Sequence, residues 1–323
     1  MSKKRSSADG KTGQPPAFID RRAMEKAMSD IGRLLSEHEF NSTEEMNAFL
    51  NEALASGKPP ATLPRTPVEQ AQDLMYEAWN STGQKRVKLA LQALEITKDC
   101  ADAYVLLAEE SARSLNEAKD LYELGVKAGE RALGPQTFEE NVGYFWGMME
   151  TRPYMRARAG LAACLWQLGE RQQAIEHYTD MLRLNPGDNQ GLRYTLATAL
   201  LEEGADEALG KLLKQYEDDA AAAWSYNRAL WIFRQKGASF QANRALKKAL
   251  DANPFVPSYL LGRRRLPKRL PEYIGFGDES EAADYVMDAI PAWQKTAGAL
   301  EWLASQLVAG SNHRLSSCPP SRG

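Results

Sequence analysis

Six side chains in the middle of this 323-residue chain carry chemistry suited to recognition: Arg156, Trp166, Arg193, Asn227, Trp231 and Arg234. A guanidinium fork meets a carboxylate through two parallel hydrogen bonds, and tryptophan supplies large contact area at binding surfaces. Set along one face, the six would clamp a peptide carboxylate or an acidic side chain. Catalytic chemistry is harder to assemble. His38, His177 and His313 stand far apart, and none has a Cys or His at metal-ligand spacing; a solvated surface suits His177. Gly275-Phe276-Gly277 follows no strand pattern and reads as a turn rather than a phosphate loop. The carboxylates of Glu202-Glu203 and Asp218-Asp219 are adjacent, and adjacent positions diverge around a helix. Cys100 and Cys164 lie among apolar residues and read as buried small hydrophobes. No catalytic residue, cofactor or metal is expected.

A regular sequence period is what would place the six on one face. Ala174, Ala208 and Ala242 are evenly spaced, Tyr178, Leu212 and Leu246 repeat the same interval, and Pro186 and Pro254 lie two such intervals apart. Helical segments recurring at this interval, about 34 residues, mark a tetratricopeptide array of two-helix units. A single unit cannot bury its apolar face, so the units stack. Three copies span 155–188, 189–222 and 223–256. Gly169, Gly204 and Gly237 stand at their turns, and Leu161-Ala162 and Leu196-Ala197 sit inside the first helices. The second, fifth, ninth, twelfth and thirteenth positions of each copy are expected to line a concave groove, and the six are drawn from the fifteen residues at those positions. Charge reversal at Arg156 and Arg193 is expected to weaken a partner without unfolding the protein. The competing expectation is that Trp166, Trp224 and Trp231 pack between repeats while the arginines are merely solvated.

The rest of the chain fits an all-α reading. It has only eight valines and seven isoleucines, and β-branched side chains favour strands. We expect a polar disordered tail at 1–16, a helical segment at 17–55 with a capping box at Ser42 and Glu45, and a Pro-rich linker at 56–66. A repeat array at 67–257 follows, opened by Thr66, Pro67 and Glu69. A helical C-terminal cap at 258–309, with a capping box at Asp278 and Glu281, precedes a disordered tail at 310–323. Within the array, 136–152 breaks the period with Phe138, Tyr144, Phe145 and Trp146. The net charge of −3 gives no bulk pull toward nucleic acid. The basic cluster Arg263 to Arg265 with Lys268 and Arg269 reads as solvated surface. No apolar run has membrane-spanning length, and three widely spaced cysteines suit a reducing compartment. The chain is therefore expected to be a cytoplasmic tetratricopeptide-repeat-type helical solenoid. It would be a non-catalytic scaffold binding a protein or peptide in its groove, with no membrane partner and nucleic acid disfavoured. A nucleic-acid-associated regulator is the alternative, and an enzyme with an unrecognised site stands behind it.

Two stretches also resemble a known family. Cys100 to Glu110 (CADAYVLLAEE) and Asn253 to Leu261 (NPFVPSYLL) are similar to segments of the suppression-of-tumorigenicity-seven proteins. Leu266-Pro267, Gly277-Asp278, Tyr285, Trp293 and Gly298-Ala299-Leu300 follow in matching order. The likeness covers roughly 67–303 and implies a helical repeat scaffold with no catalytic residues to carry over. The chain looks like a soluble, bacterial-type relative, because the hydrophobic N-terminal segments of animal members have no counterpart in this sequence.

Overall fold

The computed structural model describes residues 21–55, 66–271 and 273–316, and these residues form helices and no strand. The tail expected at 1–16 and nearly all of the linker at 56–66 lie outside the described residues. Two compact units emerge: Met1–Glu139 with Trp146–Gly160, and Glu140–Phe145 with Leu161–Gly323.

In the first unit a 3-10 turn, Arg21–Met24, leads into α1 (Glu25–Ser36). Then come α2 (Thr43–Leu54), α3 (Pro67–Trp79), α4 (Gln84–Ile96), α5 (Ala101–Glu110), α6 (Leu115–Glu140) and the first half of α7 (Arg152–Leu168). Local sequence sets the starts. Ser42 accepts from the Glu45 N–H, and Thr66 and Glu69 close a reciprocal capping box around Pro67. Met75, Trp79, Ala90, Ala93 and Leu106 form the core where α3, α4 and α5 pack. α6 kinks at Gly134 (φ 69°) before Pro135, and helix resumes to Glu140, into the segment where the period breaks. α6 and α7 approach so closely that a Cβ at Gly160 would overlap the Tyr122 ring.

The second unit contains the rest of α7, α8 (Arg171–Leu184), α9 (Leu192–Glu203), α10 (Asp206–Gln215), α11 (Ala222–Lys236) and α12 (Phe240–Ala252). α13 (Val256–Leu260), α14 (Glu279–Lys295) and α15 (Ala299–Ser316) complete it. The aromatic insert has a defined place: the N–H groups of Gly143 and Phe145 donate to the Leu184 carbonyl, 2.9 and 3.3 Å, and Phe145 is buried. The repeat is real, but its spacing is uneven. Gly169, Gly204 and Gly237 all take positive φ at the turns, where a residue without Cβ is favoured. The step from Gly169 to Gly204 is one position longer than the alanine interval, and that from Gly204 to Gly237 is one position shorter. Ala174 and Ala242 are fully buried, whereas Ala208 is exposed and Leu209 fills the equivalent buried position. The second copy is thus shifted by one position from a strict register. α15 also runs beyond 309, through residues expected to be a disordered tail.

α14 does more than cover the end of the array. It packs against α9 and α11, the first helices of two repeats, as well as against α13 and α15. Asp278 caps it, accepting from the Ser280 and Glu281 N–H groups. Glu281 departs from the expected capping box: its carboxylate accepts from the Ala222 N–H, the Asn253 amide and the Gly277 N–H, at 2.9, 3.0 and 2.7 Å.

Candidate functional site

The six candidate residues fall in both units. In the first unit, Arg156 is held by the chain's own carboxylates. Its Nη2 meets Asp102 at 2.6 Å and its Nη1 meets Glu25 of α1 at 3.0 Å. Asp102 is 0% exposed and also accepts from Gln72 at 2.8 Å. Arg152 reaches Glu25 as well, at 3.1 Å, and the Arg156 guanidinium lies 5.2 Å from the Trp79 ring centroid. Burial alone would weaken the charged form of Arg156; Asp102 and Glu25 outweigh it and hold the guanidinium above its ordinary pKa. Glu25, the first residue of α1, therefore supplies a carboxylate of the kind a partner was expected to bring, and Arg33 of α1 is bound to Asp73 of α3 at 3.1 Å.

The other five lie in the second unit. Arg193 bridges Asp188 and Asp219, at 2.9 and 2.7 Å, and Tyr194 donates to Asp219 at 2.8 Å. Burial and then the Asp219 hydrogen bond push Tyr194 up to about 12. Asn227 is fully buried, and its amide oxygen accepts from Tyr285 of α14 at 2.9 Å; Trp293 donates to that same hydroxyl at 2.9 Å. This places Asn227 in the packing between α11 and α14. Trp231 donates to the Asp206 carbonyl at 2.9 Å and lies over Gly210, so it packs on the preceding repeat. Trp166 is half-buried, with Arg171 at 4.1 Å from its ring centroid. Arg234 donates to the Leu201 carbonyl at 2.6 Å and pairs with Asp206 at 3.3 Å.

Arg234 nevertheless borders open space. A cleft of about 620 Å³ runs between the ends of α9, α11 and α14, lined by Glu202, Glu203, Phe233, Arg234 and Lys295. Lys295 and Arg171 both meet Glu202, at 3.1 and 2.8 Å. A smaller cavity of about 210 Å³ lies between Tyr194, Ile274, Phe276 and Asp284. The strict period missed Tyr194 and Glu202; reading the phase from Gly169, Gly204 and Gly237 puts both on the first-helix face. Lys295 and Tyr285 belong to α14, and nothing in the periodicity marks their approach.

Reactive side chains elsewhere have structural surroundings. His38 contacts the Leu34 carbonyl at 3.1 Å. Cys100 and Cys164 are buried, and burial raises both thiols, Cys100 to about 12. In the basic cluster, Arg264 pairs with Glu279. Among the described residues no three His, Cys, Asp or Glu gather as a metal site requires, and no helix is long and apolar enough to cross a membrane.

Two-helix units joined at positive-φ glycines and stacked on a period of about 34 residues define a helical-repeat protein of tetratricopeptide type. The family model described as ST7 protein matches residues 65–309. The chain belongs to that family. Similar proteins include a Suppressor of tumorigenicity 7 protein-like of Gallus gallus, 30% identical over 259 residues, covering 71% of this chain and 45% of that protein. Another is a Protein ST7 homolog of Drosophila melanogaster, 30% identical over 257 residues, covering 72% and 47%. The chain thus spans about half the length of these relatives. Among solved structures, YrrB, described as a TPR protein with an unusual peptide-binding site, aligns with TM-score 0.39 and 19% identity over 62% of this chain and 90% of its own.

Proposed function

We propose that this chain is a non-catalytic interaction protein that takes a protein or peptide partner on the first-helix face of its second unit. The observation that carries this reading is the seating of α14 on α9 and α11: the face accepts a helix, and the cleft beside it stays open. Arg234 and Lys295 border that cleft while paired with Asp206 and Glu202, so an acidic partner would have to share them, and Phe233 offers apolar surface. Arg193, Trp231 and Asn227 support the site from behind by fixing the repeats and α14. Arg156 plays the corresponding part in the first unit.

The test is affinity capture from the native host with the wild-type chain and with Arg234→Glu/Lys295→Glu as parallel baits, read by quantitative mass spectrometry. Loss of a specific set of proteins, with the helical circular dichroism unchanged, is the expected result. An identical set on both folded baits would reject the cleft as the binding face.

A further inference from the structure

A second cleft, away from α14, lies along the seam of α11 and α12. Its volume is about 330 Å³, and Trp224, Arg228, Ile232, Phe240, Arg244 and Lys248 line it, with Glu217 and Asp219 at the end next to α10. α10 has 10 residues against 14 in α8 and 13 in α12. The second helix of that repeat is therefore about a turn short beside this seam.

Three properties of the cleft specify an occupant. Phe240 is 77% exposed, and Ile232 and Trp224 continue an apolar floor behind it. The Trp224 ring is almost fully buried, so the floor it contributes is rigid. Arg244 and Lys248 stand one turn apart on α12, are exposed, and form no ion pair among the described residues. Arg228 commits one nitrogen to the Leu213 carbonyl at 2.9 Å. Of the two carboxylates, Asp219 is already neutralised by Arg193 at 2.7 Å, which leaves three cations facing Glu217.

We infer that this seam is a docking site for an acidic amphipathic segment of another protein. An apolar side chain would lie on Phe240 and Ile232, and Asp or Glu side chains would meet Arg244 and Lys248. Charge complementarity names the occupant. The chain's own remaining segments, 1–20, 56–65 and 317–323, hold two carboxylates (Asp9 and Asp20) against seven Lys and Arg, so they do not supply it. The apolar floor favours a peptide over a phosphate backbone. This site is separate from the α14 cleft: Arg244 and Lys248 do not border that cleft, and Arg234 and Lys295 do not border this one.

The probe is a library of random dodecapeptides displayed on phage and selected on the full chain. Selected peptides are then measured by fluorescence anisotropy, at low and physiological salt. Peptides combining Asp or Glu with Phe, Leu or Trp are expected. Their binding should weaken at least tenfold in Arg244→Glu/Lys248→Glu and severalfold in Phe240→Ala, and should not change in Arg234→Glu/Lys295→Glu. Phe240, Arg244 and Lys248 are exposed, and an unchanged thermal midpoint checks the fold of every variant. Selection of no such peptides, or equal binding by the Arg244→Glu/Lys248→Glu chain, overturns the inference. A single-stranded oligonucleotide that binds through Arg244 and Lys248 when the peptides do not would replace it with a nucleic-acid surface. A change in sedimentation of the wild-type chain abolished by Phe240→Ala would replace it with self-association.

Discussion

Asp102 has no contact with solvent, and Arg156 supplies its counter-charge at 2.6 Å. A buried carboxylate left alone pays its full desolvation penalty. Arg156→Ala is therefore expected to destabilise the protein by about 3–5 kcal/mol, read from urea midpoints; a loss below about 1 kcal/mol would show that water reaches Asp102. Arg156→Glu should be worse, because it sets three carboxylates together. The sequence-based expectation that this reversal spares the fold thus gives way once Asp102 and Glu25 are seen. Cys100 makes a second residue-scale test. Burial, aided by Asp102, holds its thiol at about 12, so at mildly alkaline pH it should react with a thiol reagent only as fast as the chain unfolds. Rapid labelling in native buffer would contradict its burial. Periodicity could nominate Arg156 but not its partners, which lie 54 and 131 positions away.

At the scale of elements, α6 and α7 meet tightly at Gly160, where Tyr122 fills the place of a side chain. Gly160→Ala should destabilise by about 1–3 kcal/mol despite the better helix propensity of alanine; a neutral or stabilising result in thermal melts would show that the Tyr122 ring swings aside freely. α14 offers an electrostatic test. Asp284 and Asp288 occupy one side of it; desolvation, then the charge of Glu281 on Asp284 and of Asp284 on Asp288, raise both carboxyls above the ordinary value. The native state then binds protons more readily than the unfolded chain. Its stability from these groups falls as pH rises through the window above the ordinary carboxylate pKa. Asp288→Asn should accordingly stabilise more at neutral pH than near the ordinary carboxylate pKa in urea titrations; a gain independent of pH would assign the effect to packing. The helix starts were legible because caps are local: Ser42, Thr66 and Asp278 all act as caps, although Glu45 accepts from the Asn41 N–H and leaves the Ser42 box unclosed. Glu281 was misread because two donors from other parts of the chain, Ala222 and Asn253, together with the Gly277 N–H just before the cap, outcompete the Asp278 N–H.

For the whole molecule, two compact units lead us to expect unfolding as a sum over neighbouring repeats rather than a single event. Arg156→Ala removes ion pairs that lie wholly within the first unit, and Tyr285→Phe removes hydrogen bonds that lie wholly within the second. Scanning calorimetry is expected to show each substitution lowering a different part of the transition; a uniform shift of one sharp peak by both would show a single cooperative unit. The amino-acid sequence by itself determined that this is an all-α protein of repeated two-helix units. Small residues, turn glycines and capping residues act within one unit, and their spacing is written along the chain. Only the tertiary structure decided the one-position shift at Leu209, the seating of α1 and α14 on first-helix faces, and which arginines are committed inward. Those depend on carboxylates and rings brought together from distant positions, and a guanidinium has the same appearance in a sequence whether a partner or a buried aspartate receives it.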